Sequence, residues 1–127
     1  MALFDKHFTL DEALQLLPEV RAAFQRIFEI QAALGDDLKD LNPLLKAAPS
    51  NGGGKKSAGY LQHIIEINKL VNGLTHRGIL IKDINTGLID FPHMRQGEEV
   101  FLCYRMGEAT IRYWHEIGAG FAGRQDI

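Results

Sequence analysis

The sequence predicts an α+β domain: a long antiparallel helical hairpin with a coiled-coil-like seam, packed with a small antiparallel β-meander of three to four strands. Three observations lead there. Apolar residues from Leu17 to Leu41 recur in alternating steps of three and four, the spacing of one helical face. After Gly78 the pattern changes to short runs rich in β-branched and aromatic residues, separated by turn signals. Between the two helical stretches lies a segment of prolines and consecutive glycines. Together they divide a single 127-residue domain into a hairpin over 9–77, with a flexible linker at 43–57, and a meander with a glycine-rich tail over 78–127.

The first helix opens at Thr9, where Glu12 stands three residues on and its carboxylate can reach back to the Thr9 amide. Pro18 lacks an amide proton and crowds the carbonyl four residues back, so a kink or an early break is expected there. The seam runs Leu17, Val20, Phe24, Ile27, Gln31, Leu34, Leu38, Leu41. Gln31 is its one polar member, either a tolerated polar residue or a pairing device. Gly35-Asp36-Asp37 is a place for the last turns to fray. The linker NPLLKAAPSNGGGKKS is a connector rather than a phosphate loop, because its glycine-to-lysine spacing is wrong and no strand precedes it.

Tyr60, Ile64, Ile67, Val71 and Leu74 define the second helix, which ends at His76-Arg77-Gly78. Its stripe is shorter than that of the first helix, and the apolar length left over suggests a second copy of the chain, a homodimer. Residues 79–83 and 88–91 read as a hairpin around Asn85-Thr86-Gly87, which places Lys82 opposite Asp90 as a cross-strand pair. A turn at Arg95–Glu98 leads into Val100–Arg105, and a tight turn at Met106-Gly107-Glu108 into Ala109–His115. That arrangement puts Val100, Leu102, Tyr104, Ile111 and Tyr113 on one face, against the helices. Phe101, Cys103, Arg105, Thr110, Arg112 and Trp114 fall on the other. The tail glycines, Gly118 to Gly123, let the backbone turn closely over the sheet. They form no dinucleotide fingerprint, since no helix can follow them.

Composition bounds the function. With 14 basic and 16 acidic residues the net charge is −2, which gives no electrostatic case for nucleic acid or an anionic membrane as main partner. Cys103 is the only cysteine, so an intramolecular disulfide and a cysteine-rich zinc cage are both excluded. The opening MALFDKHF has no apolar core, and no apolar run approaches the length of a membrane span. A soluble, cytoplasmic protein is the expectation.

The opening FTLDEALQLLPEV and the longer pattern KD…GLIDFP…G.EV.LC.R.GE…I.YWHE…GFAGRQ resemble the uncharacterised prokaryotic domain-of-unknown-function 2203 family. The resemblance covers both ends of the chain and skips the linker. It implies no activity, so the candidate chemistry rests on the residues themselves.

His115 and Glu116 stand at the end of a strand, followed by glycines that can break it. They are the candidate metal ligands, with a divalent metal as the implied cofactor. Arg105, Glu108 and Arg124 are the candidate contacts to a small polar ligand, with Tyr113 or Trp114 as aromatic walls. The competing reading makes the same charges a closed ion network, in which Arg124 ties the tail down onto Glu108 or Glu116. Cys103, between apolar neighbours, reads as a buried small hydrophobe. The function that follows is a small-ligand- or metal-binding homodimer with its site over the C-terminal sheet. The alternative is a dimeric interaction module that works through the helical hairpin.

Overall fold

The computed structural model describes residues 2–35, 39–45 and 58–127. Helix α1 spans Leu10–Leu34. Its entry is the expected capping box: the Glu12 amide donates to Thr9 Oγ1 at 3.1 Å, and the Thr9 amide to Glu12 Oε1 at 2.8 Å. The helix runs through Pro18 rather than breaking there. Pro18 faces solvent, where water can satisfy the carbonyl its missing amide leaves behind. It stops at Leu34, short of the predicted seam, because Gly35 turns to φ 67° and donates its amide back to the Gln31 carbonyl. Leu38 lies outside the described residues. Leu41 is buried from a non-helical segment.

A short 3-10 helix, Asn42–Leu45, carries Pro43, so the first residues of the predicted linker are ordered into a turn. Residues 46–57 lie outside the described part of the chain. Helix α2 spans Ala58–Thr75 and ends in a turn at Gly78, φ 96°. Two ion pairs, Glu19–Arg77 at 3.0 Å and Arg26–Glu66 at 2.6 Å, run in opposite senses along the helices and show that α1 and α2 are antiparallel. No helix among the described residues is long and apolar enough to cross a membrane.

The meander has five strands in sequential order, all antiparallel: β1 Leu80–Asp83, β2 Leu88–Arg95, β3 Glu98–Arg105, β4 Tyr113–Glu116 and β5 Gln125–Asp126. The fifth comes from the tail, which turns back through Phe121–Gly123 and pairs along β4. One sheet face supplies Ile89, Phe91, Leu102 and Tyr104 to the core. There they meet Leu17, Val20, Phe24, Ile27 and Ile30 of α1, and Ile67, Val71 and Leu74 of α2. The apolar stripe of α1 is therefore covered by the chain's own sheet. The exposed large apolar residues of the described helices are Leu61 and Ile65, both on α2. Gln31 also pairs within the chain, donating to the Lys39 carbonyl at 2.7 Å and to Asn85 in the β1–β2 turn at 3.3 Å.

Two expectations about register are corrected. Lys82 does not face Asp90. The β1–β2 register shifts between Ile81 and Asp83, which leaves Lys82 in a bulge and pairs Asp90 with Leu80. Tyr113 and Trp114 also exchange faces. Residues 106–112 form an irregular loop instead of a two-residue turn, so β4 begins only at Tyr113. Leu102 then pairs with Trp114, and Cys103 with Tyr113. A side-chain period of two turns this one-residue change into a swap of every residue on the strand.

Candidate metal centre

The sheet face turned away from the helices is built by the β2–β3 hairpin. Its turn, Gln96-Gly97, has positive φ at both residues, 52° and 83°, the geometry that closes a tight two-residue hairpin. The register it sets places Asp90 opposite Cys103. On the next strand, His115 pairs with Phe101 and so lies diagonal to Cys103. Asp90, Cys103 and His115 therefore point to one side from three adjacent strands. Asp90 and His115 are each 2% exposed and Cys103 1%. One donor atom from each lies within 4.8 Å of the other two.

Hydrogen bonding orients the imidazole. His115 Nδ1 lies 2.7 Å from the Glu116 carbonyl, which can only accept, so Nδ1 carries a proton. Nε2 then faces Asp90 Oδ1 at 3.0 Å, and one proton is shared between them. Burial, with the Asp90 charge beside it, pushes the Cys103 thiol up to about 12, so it is not a thiolate at neutral pH. The three residues line a pocket of about 140 Å³ together with Leu88, Ile117 and Phe121, with Lys82 also in its wall. The Lys82 ammonium lies 4.9 Å from the Phe101 ring centroid, and that ring packs tilted on the His115 imidazole at 5.4 Å. Phe4, from the N-terminal segment, covers Phe101 from outside at 5.4 Å.

The residues singled out in the sequence fall into three places. His115 belongs to the buried cluster. Glu116, one residue on, is exposed on the opposite face, where it lines a shallow depression with Arg95, Glu98 and Trp114. Asp90 and Cys103 take the place beside His115 that Glu116 was expected to fill. Arg105, Glu108 and Arg124 gather at the tail. Arg124 Nη2 donates to Glu108 Oε1 at 2.7 Å, and the Arg105 amide donates to the same oxygen at 2.7 Å. The Arg124 guanidinium stacks 4.0 Å from the Tyr113 ring centroid and 4.5 Å from that of Phe121, and the Arg105 guanidinium lies 4.9 Å from the Phe121 ring centroid. Burial pushes the Glu108 carboxyl up, but the bonds from Arg124 and the Arg105 amide outweigh it and hold it below the usual range. Burial likewise opposes the Arg124 charge, and Glu108 more than restores it. Arg124 Nε is buried with no hydrogen-bond partner.

The Asp90–Cys103 pairing had a signal in the sequence. The Arg95–Glu98 turn, read as a two-residue loop, places positions 90 and 103 directly opposite. His115 could not be added in the same way, because the length of the 106–112 loop decides its face.

Residues 6–127 match the model of a family described as an uncharacterized conserved protein (DUF2203), and the chain belongs to that family. No curated protein and no solved structure matches it.

Proposed function

We propose that this member of the DUF2203 family binds a divalent metal ion of the zinc class through Asp90, Cys103 and His115, with a fourth coordination position open to the cavity beneath the tail. The observation that carries the reading is the convergence of one carboxylate oxygen, one thiol and one imidazole nitrogen within 4.8 Å, all buried. A mixed N/S/O donor set suits zinc or a neighbouring transition metal, and three protein ligands with one vacancy are the pattern of a reactive rather than a purely structural zinc. A tetrahedral ion would set donor–donor distances of about 3.3–3.6 Å. Small side-chain adjustments suffice, because the Nε2–Oδ1 edge stands at 3.0 Å. The Nδ1–H bond to the Glu116 carbonyl is the outer-shell contact that fixes the tautomer of a metal-ligating histidine.

Charge balance supports the same reading. Without metal, the His115–Asp90 pair shares one proton and the thiol holds another. A dication that displaces both leaves the buried cluster neutral, so binding does not strand a charge in a dry interior. Native mass spectrometry and a zinc titration test this. One equivalent is expected to be retained, with about two protons released per ion. Asp90→Asn, Cys103→Ser and His115→Ala should each lose at least about tenfold in affinity. Folded protein that retains no metal, by circular dichroism and mass, would remove the proposal.

For Arg105, Glu108 and Arg124 a second reading is favoured by a specific observation. The single carboxylate oxygen that takes both Arg124 and the Arg105 amide supports a latch that holds the tail over the cavity.

A further inference from the structure

The cavity in front of the cluster has a composition of its own. Asp90, Cys103 and His115 form its floor, Leu88, Ile117 and Phe121 give it apolar walls, and Lys82 is the one cation among the residues that line it. Lys82 is there because β1 alternates: Leu80 pairs with Asp90, so Lys82, two residues on, lies on the same face. Its ammonium settles over Phe101, beside His115.

We infer that the open coordination position takes a short-chain monocarboxylate, with one oxygen on the metal and the other held by the Lys82 ammonium. The inference rests on the metal reading above and adds the ligand class. It follows from charge, shape and volume. The metal with Asp90, thiolate Cys103 and neutral His115 sums to zero, so Lys82, exposed at the rim, is the one positive charge among the lining residues with which an entering anion can pair. A monoanion meets it, whereas a dianion would leave a charge uncompensated beside apolar walls. A carboxylate has two oxygens to divide between a metal and an ammonium. The space of about 140 Å³ is comparable with cavities that hold a benzene-sized molecule, so the acyl part is short. Leu88, Ile117 and Phe121 surround that part.

Cobalt(II)-loaded protein provides the test, because a thiolate–cobalt charge-transfer band reports the ion and the d–d bands report its fourth ligand. Propionate is titrated against its neutral isostere propionamide at constant ionic strength, into wild type, Lys82→Met and Lys82→Arg. Lys82 is exposed, so neither substitution threatens the fold, and an unchanged charge-transfer band verifies the site in each. The expected result is saturable perturbation of the d–d bands by propionate and none by propionamide. Lys82→Met should weaken the effect by about tenfold, with Lys82→Arg recovering much of it. Absence of the charge-transfer band at one equivalent of cobalt would overturn the metal reading and this inference with it. A normal band with d–d transitions indifferent to propionate would overturn this inference alone. So would equal responses to acid and amide, or equal affinity in Lys82→Met and wild type.

Discussion

At the scale of single residues, the candidate metal ligands are three side chains of which only His115 stands out in the sequence. Cys103 reads there as a small apolar filler, and it is buried as that reading requires. What the sequence does not display is its company. Asp90, Cys103 and His115 are more than ten positions apart from one another, with no motif spacing, and only strand register assembles them. His115 was legible as a candidate ligand because imidazole is a common metal ligand and the glycines after it can end the strand. Glu116 was drawn in with it by adjacency, yet a strand sends neighbours to opposite faces, and β4 remains a strand through Glu116. The state of the thiol yields a prediction. With the Cys103 thiol raised to about 12 from an ordinary value of 9.0, its thiolate population near neutral pH falls by about a thousandfold, and burial slows attack further. Disulfide exchange with an aromatic disulfide reagent at pH 7.5 should therefore be at least about a thousandfold slower in the folded, metal-free protein than in denaturant. A folded-state rate within tenfold of the unfolded rate would show that the thiol is neither buried nor neutral.

At the scale of elements, the helix starts and the β2–β3 turn were legible, and the registers of β1 and β4 were not. The capping box at Thr9, the ends of α2 and the β2–β3 turn are all local chemistry, written in adjacent residues. The bulge at Lys82 and the loop at 106–112 are not. The loop changes the count by a single step, which a period of two magnifies into a reversed face on β4, whereas the β1 pairing moves by two and leaves Lys82 and Asp90 on one face. The N-terminal segment before α1 is a further element whose role only the structure reveals. Glu99 on β3 accepts the Leu3 amide at 2.7 Å, the Phe4 amide at 3.1 Å and His7 Nε2 at 2.7 Å. These bonds lay Phe4 on Phe101, over the cluster. The backbone amide of Leu3, then the His7 ring, hold the Glu99 carboxyl below its ordinary 4.5. A depressed folded value means that the anchoring is complete above about pH 4.5 and is lost as pH falls through the lower, folded value. Hydrogen exchange of the Leu3 and Phe4 amides, corrected for intrinsic rates, should therefore accelerate only below that value. In Glu99→Ala at pH 7 it should be faster by about tenfold or more. Protection that survives the substitution would mean the segment is held by Phe4 packing rather than by the carboxylate.

At the scale of the whole molecule, the sheet divides two kinds of interior. Its helix side is a continuous apolar core, and its other side is a small polar cluster roofed by the two chain ends. The roof at the C-terminal end depends on Arg124, which joins Glu108 in the 106–112 loop while stacked between Tyr113 of β4 and Phe121 of the tail. Arg124 and Glu108 side chains are only 10% and 19% exposed, so the pair behaves more like an interior ion pair than a surface one. Breaking such a pair costs more than removing it whole, because the survivor is left buried without a partner. Arg124→Met should accordingly destabilise the fold by roughly 2–3 kcal/mol, somewhat below the fully buried range. Arg124→Met with Glu108→Leu should recover about half of that loss or more. The latch also predicts a second readout. Phe121 and Ile117 wall the cavity on its tail side, so loosening the tail should raise Cys103 reactivity in Arg124→Met while the double variant lowers it again. If Arg124 instead serves a ligand and not the tail, the single substitution leaves unfolding within about 0.5 kcal/mol of wild type and Cys103 stays as slow as before. Chemical denaturation and thiol kinetics on wild type, Arg124→Met and the double variant separate these outcomes.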